Sequence, residues 1–193
     1  VPADRASRSP YLLSMPPAEG PEAVPGLVAL ADTWADEAGL PAKDRLGLAQ
    51  YFERRMALSG RFRYTLDPPV RDPTVDPVED FVVNHPEGHC EYFATALALM
   101  LRSQGVPTRM VIGYKTDQWN QMGRFFQVRQ LHAHTWVEAY LRPRDLPREL
   151  IRGANHWDWA AGGWLRLDAT APAITDDAPT ESYLSPAHRA VLW

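Results

Sequence analysis

The sequence predicts an α+β fold in which helices come first and an antiparallel sheet follows. Apolar residues recur at helical spacing through most of the chain before Gly105, whereas the segments after it alternate as strands do. The strands follow one another without intervening helices. This order favours an antiparallel sheet with helices packed on it over a sheet built from βαβ units.

The first two helices follow a proline-rich lead-in, which we assign to residues 1–23. From Val24 to Ala38 the apolar residues repeat at helical spacing, and Gly39 is a plausible stop. A second helix is expected after Pro41 and before Gly60. Beyond it, Arg61–Leu66 alternates as a short strand, and the four prolines of Asp67–Pro77 predict an irregular connection.

The third helix is the best defined element in the sequence. It should begin near Gly88–Cys90, and Gly105 with the following Pro107 should end it. Its periodicity turns one set of residues inward: Phe93, Ala94, Leu97, Ala98 and Leu101.

The second half of the chain predicts four strands. They cover residues 109–114, 125–130, 133–141 and 164–167. Lys115–Arg124 reads as a hairpin-like loop that carries Trp119 and Met122, and Arg142–Gly162 has the length of a lid or binding loop. We assign residues 24–172 to one domain and residues 173–193 to a C-terminal tail.

Composition and charge narrow the classes of function. The chain has 193 residues, of which 45% are hydrophobic and 23% are charged, as in ordinary globular proteins. A net charge of −4 gives no support for nucleic-acid binding. The longest apolar stretch, Ala94–Leu101, is far shorter than the roughly 20 residues of a membrane span. A single cysteine excludes an internal disulfide framework and a multi-cysteine zinc site.

The start of the chain shows no leader segment and opens at Val1. We therefore expect a processed product or an excised domain. The first residues of the chain do not by themselves indicate where the protein is located.

Cys90 is the candidate nucleophile. It lies at a predicted loop-to-helix junction, where the helix dipole and unpaired backbone N–H groups favour thiolate over thiol. Acyl transfer by a thiolate also requires a base and a group that orients the base. His134 on one strand and Asp168 at the end of the next can supply them.

Other interpretations of these residues stay open. A lone cysteine is commonly an inert core residue, and an aspartate can simply end a strand. His132 and His134 have the i, i+2 spacing of two metal ligands on one strand face. A metal site would need Cys90, His85 or His89 as well, and none of them has a diagnostic spacing.

Four segments in this order carry a resemblance to a known family. They are Gly88–Ala94, Arg102–Tyr114, His134–Tyr140 and Gly163–Thr170. Together they resemble the core of the transglutaminase-like superfamily, and in particular its bacterial, membrane-anchored members. The resemblance is strong over residues 61–172 and weaker over the helices before them.

The resemblance implies a papain-like α+β core with a Cys-bearing helix on an antiparallel sheet. It implies Cys90 as nucleophile, His134 as base and Asp168 as orienter, with no cofactor and no metal. The resemblance indicates His134 rather than His132 as the base, because the family's catalytic histidine lies two residues before a tryptophan. Thr135 and Ala169 depart from the family's usual alanine and proline, and we expect neither to touch the three site residues.

The function that we expect is cysteine-dependent acyl transfer on protein or peptide amides through a thioester, with amine or water as acceptor. By resemblance, the chain would be an extracytoplasmic domain of a membrane-anchored protein that acts on cell-envelope substrates. The alternative is a non-catalytic peptide-binding module with the same fold.

Overall fold

The protein is described by a computed structural model, which covers residues 9–41, 43–146 and 162–171. Most of the long connection Arg142–Gly162 and the expected tail at 173–193 lie outside these residues. Within the lead-in, Pro10–Leu13 forms a short 3₁₀ helix. The domain boundaries given above remain predictions.

Four α-helices form the helical part of the described residues. They are α1 (Pro25–Ala38), α2 (Arg45–Leu58), α3 (Pro77–Val83) and α4 (Cys90–Ser103). Helix α1 ends at Gly39, whose φ of 59° is the left-handed conformation that glycine adopts without steric cost. Asp44 caps α2 by accepting a hydrogen bond from the Gly47 N–H.

The described strands form three small sheets. A short parallel pair is followed by a three-stranded antiparallel sheet in the order β3-β6-β7, and a separate hairpin joins β4 to β5. The strands are β1 (Arg63–Tyr64), β2 (Glu87–Gly88), β3 (Thr108–Tyr114), β4 (Trp119–Asn120), β5 (Phe125–Phe126), β6 (Ala133–Leu141) and β7 (Gly163–Leu167). Helices that precede an antiparallel sheet confirm the predicted fold class.

Helix α4 is central to the core. Its inward side chains Phe93, Leu97, Met100 and Leu101 are fully buried, and burial of each contributes about 1.5–3 kcal/mol. The Phe93 ring packs edge-on against Phe81 with a centroid distance of 5.1 Å. Cys90, the first residue of α4, is therefore anchored to a rigid, close-packed helix.

Several elements differ from the sequence-based expectation, among them the two-residue strands β2 and β4, which were not predicted. Helix α3 was not predicted, although Asp76 caps it and Pro77 occupies its first turn, which are recognised start signals. The strand expected over Phe125–Gln130 is wrong beyond Phe126, because only Phe125 and Phe126 pair with β4. The strand expected over Arg61–Leu66 shrinks to the two residues of β1.

The register of the large sheet brings distant segments to one edge. His134 lies opposite Gly113 of β3, and Val137 lies opposite Leu167 at the end of β7. Because β6 and β7 are antiparallel, the chain after Leu167 continues toward the start of β6, and Asp168 comes level with Trp136, two residues from His134. Asp168 thus reaches the neighbourhood of His134.

Within the described part of the chain, no helix combines the length and apolar character needed to cross a membrane.

Candidate active site

Cys90 occupies the N-terminus of α4 and is partly exposed. The residue before it, His89, stands at the N-cap position but makes no side-chain capping hydrogen bond. The first N–H groups of an α-helix have no partner within the helix, and the positive end of the helix dipole lies there. This environment favours a negatively charged sulfur.

His134 links the sulfur to a carboxylate. Its Nε2 lies 2.9 Å from Asp168 Oδ2, and its side chain also forms a hydrogen bond with Cys90. Since Nε2 is engaged by Asp168, Nδ1 is the ring nitrogen left for the sulfur. The structure therefore brings Cys90, His134 and Asp168 into one connected group.

The pKa values of the sulfur and the ring move in opposite directions. The hydrogen bond from His134 lowers the pKa of the Cys90 thiol, and hydrogen bonds from Thr135 lower it further, although burial opposes them. Burial alone would lower the pKa of His134, but its hydrogen bonds to Asp168 and Cys90 raise it to about 9. These opposite shifts favour the thiolate–imidazolium pair over the neutral thiol–imidazole pair.

Asp168 remains ionised at neutral pH. Burial would raise the pKa of its carboxyl, but the hydrogen bond to His134 and the positive charges of Lys115 and His134 hold it well below its ordinary range. Its backbone N–H donates to Glu53 Oε1 on α2 at 2.8 Å. Helix α2 thus fixes the chain at the point where the carboxylate meets the imidazole.

A thiol, an imidazole and a carboxylate that contact one another in this order are the groups that cysteine-dependent acyl transfer requires. A family model of the transglutaminase-like superfamily matches residues 32–169. The chain belongs to the transglutaminase-like superfamily.

Two of the matches come from one bacterium. A protein-glutamine gamma-glutamyltransferase of Pseudomonas aeruginosa is 36% identical over 109 residues, which are 56% of this chain and 13% of that protein. The crystal structure of the periplasmic domain of TgpA from Pseudomonas aeruginosa, bound to ethylmercury, superposes with a TM-score of 0.61 at 29% identity. That match covers 86% of this chain and 48% of the TgpA chain.

A second crystal structure of the same TgpA domain also has a TM-score of 0.61, at 28% identity over 86% of this chain and 46% of that one. The uncharacterized protein YebA of Bacillus subtilis is 36% identical over 69 residues, which are 34% of this chain and 9% of YebA. The chain thus spans about half of the matched periplasmic domains and a much smaller part of the full-length relatives.

Thr135 belongs to the site of this transglutaminase-like domain, contrary to expectation. Its backbone and its side chain each form a hydrogen bond with Cys90 that favours the thiolate. The residue is only 2% exposed and lies between His134 and Trp136 on β6. The expectation that Thr135 touches none of the three site residues is wrong, because the strand carries its N–H and hydroxyl to the sulfur.

Lys115 is a further site residue that the sequence did not reveal. Its Nζ lies 2.7 Å from Asp168 Oδ2, the same oxygen that contacts His134. Lys115 stands directly after β3, and its backbone N–H donates to the His132 carbonyl across the base of the hairpin loop. A single lysine at the end of a strand belongs to no recognisable motif, so the sequence could not identify Lys115 as a site residue.

Tyr64 lies next to the segment that precedes Cys90. It pairs with Gly88 in the parallel β1–β2 ladder, two residues before the sulfur. Burial raises the pKa of the Tyr64 phenol, and the Cys90 charge raises it further. The phenol therefore stays neutral and can donate a hydrogen bond.

A buried ionic network holds the turn that leads to Cys90. Asp80 on α3 is fully buried and contacts Arg71, Asn84 and His85. Burial would raise its pKa, but hydrogen bonds from these three partners lower it. Arg71 also donates to the carbonyls of His85 and Glu87. The network fixes the path of the backbone just before α4.

The structure places His132 outside the strand that carries His134. It ends a 3₁₀ helix (Gln130–His132) just before β6, so the expectation that it shares a strand face with His134 is wrong. Its Nδ1 accepts a hydrogen bond from the Arg129 N–H at 3.1 Å. Among the described residues, no group of three or more His, Cys, Asp or Glu side chains is arranged to hold a metal ion.

Proposed function

We propose that this domain is a cysteine acyltransferase or amidohydrolase that acts on protein or peptide amides. In this proposal Cys90 is the nucleophile, His134 is the acid and base, and Asp168 holds the imidazole in its reactive orientation. The observation that supports it most directly is the chain of contacts from the Cys90 sulfur through His134 to Asp168. Membership of the transglutaminase-like superfamily supports the same chemistry.

The first half of the reaction forms a thioester. The Cys90 thiolate attacks the carbonyl carbon of a carboxamide, and the developing oxyanion is placed near the uncapped N–H groups of α4. The C–N bond then breaks as the His134 imidazolium gives its proton to the departing nitrogen. Ammonia leaves from a side-chain carboxamide, and an amine leaves from a peptide bond.

The second half transfers the acyl group. Neutral His134 takes a proton from the incoming nucleophile, which attacks the thioester carbon and displaces the Cys90 sulfur as thiolate. An amine acceptor gives a cross-link, whereas water gives deamidation or proteolysis. The P. aeruginosa relative named protein-glutamine gamma-glutamyltransferase supports amine transfer to a glutamine-derived acyl group as the reaction to test first.

The setting that we propose is the cell envelope. The matched TgpA structures are periplasmic domains, and this chain spans about half of each of them. We infer that the domain is part of a larger, membrane-anchored protein and faces the extracytoplasmic side. Its substrates would then be proteins or peptides of that compartment.

The decisive experiment combines a glutamine-containing peptide with a fluorescent primary amine and follows both by mass spectrometry. Wild-type protein is expected to incorporate the amine, to deamidate the glutamine or to cleave the peptide, and Cys90→Ala should do none of these. Peptide binding without any of the three products would instead identify a non-catalytic binding module. Thr95→Ala, on the same helix, is a matched control that should keep activity.

A further inference from the structure

Lys115 is the one described cation whose contact with the Asp168 carboxylate is as short as that of His134. Lys115 Nζ and His134 Nε2 lie 2.7 Å and 2.9 Å from the same atom, Asp168 Oδ2. A single carboxylate oxygen thus carries two positively polarised donors.

Sharing the oxygen has an electrostatic consequence. A carboxylate stabilises an imidazolium through its negative charge, and a neighbouring ammonium offsets part of that charge. The Lys115 charge accordingly acts on His134 in the opposite sense to Asp168. The His134 and Asp168 side chains are 13% and 18% exposed, whereas the Lys115 side chain is 39% exposed, so water screens the ammonium more than the pair on which it acts.

Charged groups from several elements lie around His134. Asp168 follows β7, Lys115 follows β3 and Cys90 begins α4, while Glu53 on α2 accepts a hydrogen bond from the Asp168 backbone. Arg166 on β7 lies over the ring of Trp136, which in turn stacks on His134 with a centroid distance of 6.4 Å. Lys115 is the positive group that shares the Asp168 oxygen with His134 and counteracts its pull on the imidazolium proton.

We propose that Lys115 is a positioning residue that shares the Asp168 carboxylate with His134 and makes the imidazolium a readier proton donor to the leaving nitrogen. The proposal rests on the function given above. Lys115 also orients the carboxylate, because its hydrogen bond fixes Oδ2 on the side of the imidazole. Since Lys115 begins the loop that joins β3 to β6, the position of this loop is coupled to the His134–Asp168 contact.

The test is an NMR titration of the His134 ring in wild-type protein, Lys115→Met and Lys115→Arg. Removing the charge should shift the protonation equilibrium of His134 about three- to tenfold toward imidazolium, whereas Lys115→Arg should restore wild-type behaviour. Arg124→Met, which removes an exposed charge from the same loop, should leave the titration unchanged. Lys115→Gln repeats the measurement if Lys115→Met does not fold.

An unchanged His134 titration in Lys115→Met would overturn the proposal, and so would a shift in Lys115→Arg as large as that in Lys115→Met. The titration needs no turnover. If no acyl transfer is detected, the proposed function fails, but the role of Lys115 is still decided by the His134 ring.

Discussion

Thr135 forms hydrogen bonds with Cys90 through both its backbone and its side chain. The histidine that contacts the sulfur and a second stabilising residue are therefore neighbours on β6. This arrangement couples the geometry of the imidazole to that of the thiolate, because one strand carries both.

Replacing Thr135 tests how much its hydroxyl lowers the pKa of Cys90. Thr135→Val keeps the shape and the backbone N–H but removes the hydroxyl, so the pKa of Cys90 should rise. One net hydrogen bond contributes about 0.5–1.5 kcal/mol, so alkylation by iodoacetamide below neutral pH should slow by about two- to tenfold. Thr135→Ser retains the hydroxyl and should react like wild type. Equal rates in Thr135→Val and wild type would contradict the contact.

His134→Ala removes the main cause of the lowered Cys90 pKa. The midpoint of the alkylation profile should then rise toward the ordinary thiol value of about 8.5. The measurement is the rate of iodoacetamide labelling as a function of pH. His132→Ala is the matched control, since His132 bonds the Arg129 backbone and should leave the midpoint in place. A midpoint that responds equally to both changes would argue against the proposed pairing.

Asp168→Asn keeps the size of the side chain but removes its charge. We expect kcat to fall by about 10²- to 10⁴-fold, because the imidazolium loses its stabilising partner and its fixed orientation. The pKa of His134 should fall from about 9, since the carboxylate contributes to its elevation. Steady-state kinetics and the NMR titration measure the two effects. Asp117→Asn, on an exposed loop position, should change neither.

The pH dependence of acyl transfer follows from the same shifts. Activity should rise as Cys90 becomes thiolate, at a pH below the ordinary thiol value because its pKa is lowered. It should be retained while His134 is protonated and should be lost as pH rises through about 9. The dependence of kcat/KM on pH measures both the rise of activity at low pH and its loss at high pH. Activity that keeps climbing well above the pKa of His134 would contradict the role of the imidazolium.

Asp80→Ala should destabilise the fold strongly. It leaves Arg71 without its buried carboxylate partner, and loss of one member of a buried ion pair costs about 3–5 kcal/mol. Urea unfolding measures the change in the free energy of unfolding. Asp67→Ala, at an exposed position, should cost less than about 1 kcal/mol. If Asp80→Ala lowered the free energy of unfolding as little as Asp67→Ala, the network would contribute little to stability.

The sequence predicted those parts of the fold that depend on local pattern. Helix α4 was placed correctly because its apolar residues repeat at helical spacing, and β6 because Val137, Ala139 and Leu141 recur at every second position. Helix α3 was overlooked because its seven residues are too few for a clear period, although Asp76 and Pro77 mark its start. The strand over Phe125–Gln130 was predicted too long because its alternation continues beyond the two residues that pair with β4.

The three candidate site residues were predicted from motifs, and the structure brings them together; their catalytic roles stay predictions. Lys115, Thr135 and Glu53 were not predicted as site residues. Each reaches the site through a tertiary contact between elements distant in sequence, and neither spacing nor composition signals such a contact. The sequence therefore indicated which groups could react but not which neighbours would shift their pKa values or fix their positions.

The contact between Glu53 and the Asp168 backbone spans 115 positions along the chain. Because a ribosome releases the N-terminal segment first, Cys90 and His134 emerge before the carboxylate that is to join them. The three side chains can therefore meet only after β7, the last strand of the described residues, has left the ribosome and paired with β6.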